Sequence, residues 1–96
     1  MSCSLSTHVL DTAAGRPAPG VAVEVVREGI AVAAAETDAD GRARLADDLP
    51  PGTYRVVFHP PSPFFTRVDL QVELSEGHYH VPLLVSPFGC ASYRGS

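Results

Sequence analysis

Residues that can move protons are concentrated near the C-terminus of this chain. His78 and His80 begin a run of aromatic and apolar residues, and the chain finishes with the tetrapeptide Tyr93–Ser96, which reads Tyr-Arg-Gly-Ser. An imidazole gives or takes a proton near neutral pH, and a guanidinium keeps its charge and offers a planar fork of donors. Because chain termini are usually frayed, such an ending indicates a pair of strands that carries polar side chains to a functional place.

Other groups of this kind are isolated in the sequence. His8 lies near the start of the chain, and Arg42 follows the turn-forming residues 38–41. Taken alone, His8 and His80 are most simply surface histidines, and Arg42 is most simply a solvated turn cation. Arg44 shares a strand face with Arg42 and is the second choice for any role that needs a guanidinium.

No metal site is predicted from the remaining histidines and cysteines. The four histidines and two cysteines of the chain do not have the spacing of a structural zinc site, and no cofactor is expected. Cys90 has no histidine motif around it that would make it a nucleophile, so it is expected to fill apolar space.

Composition limits the classes of function. The chain has 96 residues, of which 45% are apolar and 19% charged, as is typical of a globular domain, and we assign residues 1–96 to one domain. The formal net charge of −4 argues against a nucleic-acid or anionic-membrane partner. No apolar stretch approaches the roughly 20 residues of a membrane span. The first residues lack the features of a signal peptide, so a cytoplasmic location with reduced cysteines is expected.

The elements that must position these groups are β-strands. Residues 67–74 alternate between polar and apolar side chains, and residues 53–58 and 78–85 are rich in aromatic and β-branched types. Clusters of Gly, Pro and Asp interrupt the chain at short intervals, and no segment keeps a helical period. The sequence therefore predicts an all-β fold, an antiparallel β-sandwich of about eight strands. The strands are expected near residues 4–11, 20–28, 30–37, 41–46, 52–58, 66–75, 78–86 and 89–95.

The alternation of side chains orients the histidines of the strand predicted at 78–86. It places His78, His80 and Pro82 on one face and Tyr79, Val81 and Leu83 on the other. A sheet that buries Val81 and Leu83 must turn His80 outward. A chain of this size is too small to enclose a deep cavity, so outward histidines of several subunits are expected to converge across a two-fold axis.

Four motifs together resemble those of one family. They are Ser6–Asp11, the turn Asp40–Arg42, the strand His78–Leu84 and the ending Tyr93–Ser96. In this order, over nearly the whole chain, they are similar to the motifs of the 5-hydroxyisourate hydrolases, the transthyretin-related enzymes of urate breakdown. The resemblance implies a prealbumin-like (transthyretin-like) sandwich. The terminal tetrapeptide separates these hydrolases from the hormone-carrying transthyretins.

The resemblance also implies a site and a reaction. The catalytic residues that it implies are His8, Arg42, His80 and Ser96, and the substrate-binding residues are His8, Arg42 and Tyr93. The reaction is hydrolysis of the cyclic amide 5-hydroxyisourate to 2-oxo-4-hydroxy-4-carboxy-5-ureidoimidazoline, without metal or cofactor. We expect His80, with His8, to position and deprotonate water, and Arg42 to hold the ring. Ser96 would orient water or protonate the leaving nitrogen, and which histidine acts first as base stays open.

The same resemblance implies a homotetramer, a dimer of dimers with its sites at subunit interfaces. Two features depart from the family pattern. The link after the fifth strand is reduced to about residues 59–65, whose prolines rule out the short helix of relatives. Cys90 stands where relatives usually carry an aromatic residue.

Two other classes of function remain open. A transthyretin-like carrier would bind a small aromatic ligand without hydrolysing it, but a more apolar channel would be expected for that role. A structural sandwich repeat from an adhesin would not need His80 or a specified terminus. His78 flanks the motif and is expected to be a solvent-facing strand residue that could modulate the site.

Overall fold

The computed structural model describes residues 1–96 and is built from strands connected by turns, without a helix. The strands are β1 (Cys3–Asp11), β2 (Arg16–Pro17), β3 (Ala22–Arg27), β4 (Ile30–Glu36), β5 (Arg42–Leu49), β6 (Gly52–Phe58), β7 (Val68–Leu74), β8 (Gly77–His80), β9 (Leu83–Ser86) and β10 (Gly89–Ser92). The structure therefore contains no helix with the length and apolar character that crossing a membrane requires.

The strands form two sheets that enclose the core between them. One sheet has the order β4–β3–β6–β7 and is antiparallel throughout. The other is centred on β1, which pairs antiparallel with β2 and β5 and parallel with β8 and β9, while β10 pairs antiparallel with β9. The predicted sandwich is confirmed, with two differences: the structure has ten strands where about eight were predicted, and two of its pairings are parallel. The chain reaches β8 from β7 of the opposite sheet, and such a crossing, unlike a hairpin, does not force antiparallel pairing.

The strand predicted at 78–86 is interrupted in the structure. β8 ends at His80 and β9 begins at Leu83, and Pro82 between them has no N–H to donate to a strand ladder. The prediction that Pro82 projects outward with His80 is wrong, because Pro82 is buried and the alternation does not run through the interruption. Val81 and Leu83 are buried as expected.

Alternation along β1 separates the core from the outer face of its sheet. Leu5, Thr7 and Val9 are buried, whereas Ser6 and His8 between them are half-buried. The buried hydroxyl of Thr7 donates a hydrogen bond of 2.6 Å to the carbonyl of Val81, which satisfies a polar group inside the core. This contact ties β1 to the interruption between β8 and β9.

The two features singled out as departures from the family pattern are the connection after β6 and Cys90 in β10. Residues 59–67 form an irregular connection without a helix, as the prolines predict. The half-buried Cys90 packs against the core, and burial raises the pKa of its thiol. This placement agrees with the expectation that Cys90 fills apolar space.

Candidate active site

A cavity opens on the outer face of the sheet that contains β1. Its volume is about 350 Å³, and it is lined by Ser6, Thr7, Asp38, Arg42, Ala43, Arg44, His78, His80 and Ser96. Imidazole, guanidinium and hydroxyl groups from distant parts of the chain meet here, and Ala43 is the one apolar side chain among them. No group of three or more His, Cys, Asp or Glu side chains is gathered closely enough to hold a metal ion.

Backbone pairing with β1 sets the polar side chains next to one another. The antiparallel register of β1 with β5 places His8 opposite Arg42 and Ser6 opposite Arg44. The parallel register of β1 with β8 places Ser6 opposite His80. Because directly paired residues point to the same face of a sheet, these five side chains share the outer face.

The turn before β5 fixes where Arg42 enters the sheet. The carboxylate of Asp38 accepts hydrogen bonds from the backbone N–H groups of Asp40, at 2.9 Å, and Arg42, at 3.0 Å. Gly41 has a φ of 73°, and a Cβ added there would lie 2.5 Å from the carbonyl oxygen of Val9. Glycine is therefore required at this position, and the turn delivers the guanidinium of the next residue to the cavity.

The two guanidinium groups beside the cavity differ in their partners. Arg44 lies 2.6 Å from a carboxylate oxygen of Asp47, and this hydrogen bond raises the pKa of Arg44 and lowers the pKa of Asp47. The side chain of Arg42 takes part in no salt bridge and no hydrogen bond within the chain. This difference favours Arg42 over Arg44 as the group that meets a ligand.

His80 is held from two sides. Its Nδ1 lies 2.8 Å from the hydroxyl of Ser6, and its carbonyl accepts a 2.7 Å hydrogen bond from the N–H of Gly95. A Cβ added to Gly95 would stand 2.6 Å from Cδ2 of His80, so the terminal segment packs directly against the imidazole. Glycine permits this close approach, and Ser96 thereby reaches the cavity.

The surroundings of His80 favour the neutral form of its imidazole. Burial lowers the pKa of His80, and the charge of Arg42, followed by any charge on His8 and His78, lowers it further. Nδ1 is engaged by Ser6, whereas Nε2 has no hydrogen-bond partner within the chain. A neutral imidazole with one free ring nitrogen has the form that a general base requires.

The amino-acid sequence matches a known protein family. The model of the HIUase/Transthyretin family matches residues 5–95. The chain belongs to this family. It is similar to the 5-hydroxyisourate hydrolase of Caulobacter vibrioides, with 43% identity over 112 residues that cover 96% of this chain and 97% of that protein. The resemblance inferred from the motifs is confirmed.

Two solved structures of family members share the fold. The structure of Klebsiella pneumoniae 5-hydroxyisourate hydrolase has a TM-score of 0.89 and 39% identity, with 100% of both chains covered. Sea bream transthyretin in complex with thyroxine has a TM-score of 0.83 and 30% identity, with 95% of this chain and 93% of that chain covered. The fold is therefore shared by a hydrolase and by a thyroxine-bound protein, so the fold alone does not decide between these functions.

The residues implied by the resemblance fall into two groups in this family member. Arg42, His80 and Ser96 line the cavity, and His8 lies on the same sheet face opposite Arg42. Tyr93 lies elsewhere: it is 57% exposed and lines a second cavity of about 500 Å³ beside β7. A contact between Tyr93 and substrate stays a prediction, because Tyr93 does not line the first cavity of its own chain.

Sequence reasoning assigned no role to Ser6, although it stands in the same motif as His8. The hydroxyl of Ser6 contacts both His80 and His78, at 2.8 Å in each case. Alternation could have placed Ser6 on the face of His8. Its contacts with His78 and His80 could not have been found, because they depend on the parallel register of β1 with β8.

Proposed function

We propose that this chain hydrolyses 5-hydroxyisourate to 2-oxo-4-hydroxy-4-carboxy-5-ureidoimidazoline, as a hydrolase of urate breakdown. The observation that carries the proposal is the shared cavity of Arg42, His80 and Ser96, in a chain that is similar over nearly its whole length to proteins named 5-hydroxyisourate hydrolase. The substrate is a planar, oxidised purine with a strained cyclic amide. Opening that ring needs a nucleophilic water, a donor for the developing oxyanion and a proton for the leaving nitrogen.

His80 is the general base in this proposal, and its neutral imidazole takes a proton from water. The water oxygen bonds to the amide carbonyl carbon, and the negative charge that develops on the carbonyl oxygen is stabilised by the unpaired guanidinium of Arg42. The carbon–nitrogen bond then breaks, and the leaving nitrogen takes a proton that His80 returns directly or through Ser96. His8, opposite Arg42, assists in positioning the water.

Substrate contacts are proposed for His8, Arg42 and Tyr93. Support is strongest for Arg42, which lines the cavity and has no internal partner. Support is weakest for Tyr93, whose position beside β7 separates it from the cavity. A substitution of Tyr93 therefore tests whether the second cavity takes part in substrate binding at all.

The alternative function, a carrier that binds a small ligand without hydrolysing it, is less well supported by the same cavity. Ligand-carrying pockets are mostly apolar with a few polar groups. The lining of this cavity is the reverse, since Ala43 is its one apolar side chain. The polar lining is better suited to a reaction in which charge develops and protons move.

We further propose a homotetramer, a dimer of dimers, in which the cavity is closed by a neighbouring subunit. The cavity lies on an outer sheet face where Arg42 and His78 are exposed, and a domain of 96 residues cannot enclose a deep site alone. Sedimentation velocity measures the assembly state. An active monomer would contradict the shared site.

A single domain over residues 1–96 and a cytoplasmic location complete the proposal. The two cysteines, Cys3 and Cys90, are both free thiols, a state that suits a reducing compartment. Cell fractionation with an antibody against the protein tests the location directly.

The experiment that tests the hydrolase proposal follows 5-hydroxyisourate generated from urate. Decay of its ultraviolet absorbance is measured with and without the protein, against spontaneous decay. We expect acceleration, and we expect His80→Asn to reduce it by about 100-fold or more, as is typical when a general base is lost. His59→Asn is the matched control, because His59 pairs with Glu24 on the other sheet. A folded wild-type protein that leaves the decay unchanged would refute the hydrolase and favour the carrier.

A further inference from the structure

A chain of hydrogen bonds continues from His80 along the outer face of the sheet. The hydroxyl of Ser6 lies 2.8 Å from Nδ1 of His80 and 2.8 Å from Nε2 of His78. The hydroxyl of Ser4 lies 2.7 Å from Nδ1 of His78. The parallel register sets Ser4 opposite His78 and Ser6 opposite His80, so the backbone itself brings the four side chains into line.

The chain permits two arrangements of its protons when both imidazoles are neutral. A neutral imidazole has one nitrogen that donates and one that accepts, and a hydroxyl has a single proton. Every hydrogen bond in the chain must therefore run in the same direction. The proton position on His78 consequently fixes the proton position on His80, through the hydroxyl of Ser6.

In the first arrangement, Ser6 donates to Nδ1 of His80, and His80 carries its proton on Nε2. In the second, Nδ1–H of His80 donates to Ser6, Ser6 donates to Nε2 of His78, and Nδ1–H of His78 donates to Ser4. Only the second leaves a lone pair on Nε2 of His80. That nitrogen has no partner within the chain, so it is the one available to a bound water.

The second arrangement is also the one that survives protonation of His80. An imidazolium donates from both nitrogens, so Ser6 must accept from Nδ1 once Nε2 has taken a proton. In the second arrangement Ser6 already accepts this hydrogen bond, so its hydroxyl does not have to rotate. In the first arrangement, the hydroxyl of Ser6 points its proton at a nitrogen that must itself donate.

We propose that Ser6 and His78 are positioning residues that hold His80 in its Nδ1–H form, with the Nε2 lone pair free to take a proton from water. The inference rests on the proposed function, in which His80 is the base. Other charged or titratable groups around the pair are His8 on β1, Asp38 in the turn before β5, Arg42, Arg44 and Asp47 on β5, and the carboxylate of the last residue, Ser96. The positive charge of Arg42 is one of the causes that lower the pKa of His80, which favours the neutral imidazole that both arrangements require.

The first test is nitrogen-15 NMR of the His80 ring in the full-length protein without substrate, in the assembly that it forms in solution. The expected spectrum of the wild-type protein above the pKa of His80 shows Nδ1 protonated and Nε2 bare. In Ser6→Ala the preference is lost and the two tautomers mix, whereas Ser6→Thr, which keeps a hydroxyl, restores it. A wild-type His80 with its proton on Nε2 would overturn the proposal.

The second test is a double-mutant cycle on turnover with Ser6→Ala and His78→Ala. We expect Ser6→Ala to lower kcat by about twofold or more with KM little changed, in proportion to the fraction of His80 that leaves the Nδ1–H form. In the proposal His78 orients His80 through Ser6, so adding His78→Ala to Ser6→Ala should cause no further loss of kcat. The comparison is made on the high-pH plateau of the rate profile, where charge on His78, which also lowers the pKa of His80, plays no part. If the two substitutions lower kcat independently, so that their fold-losses multiply in the double variant, the proposal is contradicted.

The two tests separate the failure of this inference from the failure of the proposed function. If His80→Asn keeps full turnover, His80 is not the base, and the NMR spectra alone decide whether Ser6 and His78 set its tautomer. If His80→Asn abolishes turnover while Ser6→Ala leaves both tautomer and kcat unchanged, the hydrolase stands and the positioning role is refuted. Thermal unfolding of each variant verifies that the outward-facing substitutions leave the fold intact.

Discussion

Replacing Gly95 by alanine tests whether the terminal segment holds the imidazole of His80. A Cβ at position 95 would stand 2.6 Å from Cδ2 of His80, where ordinary contact begins at 3.4 Å. Either the imidazole or the terminal segment must therefore move by about 0.8 Å. Both movements disturb the cavity, because one displaces the base and the other withdraws Ser96.

The size of the effect follows from that displacement. A misplacement of about 1 Å in a catalytic group can lower the rate by about 100-fold, so we expect a loss of kcat of that order in Gly95→Ala. The cost in stability is smaller. If the segment lifts, the hydrogen bond from the Gly95 N–H to the His80 carbonyl is lost, and a bond of this kind contributes about 0.5–1.5 kcal/mol to the free energy of unfolding.

The assay is the decay of 5-hydroxyisourate absorbance, with thermal unfolding followed by circular dichroism. Gly89→Ala is the matched control, because a Cβ at that position meets only the hydroxyl of Ser86, at 3.1 Å, and neither residue lines the cavity. The control should keep its turnover. If Gly95→Ala is as stable as the wild type and its kcat lies within about twofold of the wild-type value, the terminal segment does not position the imidazole and the reasoning is wrong.

Two further predictions concern the pKa of His80 and the turn before β5. Turnover should fall as the pH drops through the pKa of His80, because the protonated ring cannot take a proton from water. Burial and the charge of Arg42 lower that pKa, so the acid limb of the pH–rate profile should lie below the ordinary value of 6.5. Arg42→Gln should raise the pKa of His80 in an NMR titration, whereas Arg44→Gln should not. Gly41→Ala should lower the free energy of unfolding by about 1–3 kcal/mol in urea denaturation, and by more than Gly29→Ala, whose Cβ meets nothing.

Local rules were sufficient to predict most of the strands and the side of the sheet on which His80 lies. The alternation in β7 is a consequence of the two-residue period of a strand, whereas Val81 and Leu83 are buried on either side of a buried Pro82, outside that period. The turn ahead of Arg42 was also readable, because Asp38 and Gly41 are residue types that such turns require. These features depend only on neighbours in the sequence.

Contacts across the sheet could not be predicted in the same way. The direction in which β8 pairs with β1 decides whether His80 lies opposite Ser6. The residues of β8 and their neighbours in the sequence do not determine that direction. The hydrogen bonds that join Ser6 with His78 and with His80 depend on this register. Likewise, the motif that ends the chain placed Tyr93 and Ser96 together, yet the structure separates them into two cavities.

The hydrogen bond between Ser6 and His80 joins residues 74 positions apart, which has a consequence for when the protein becomes competent. Contacts so distant in sequence form slowly, after the entropy of closing a long loop has been overcome. A nascent polypeptide that still lacks β8 does not contain His80, the base in the proposed reaction. On that proposal, activity is a late event in maturation, and a chain without its last three strands is expected to be inactive.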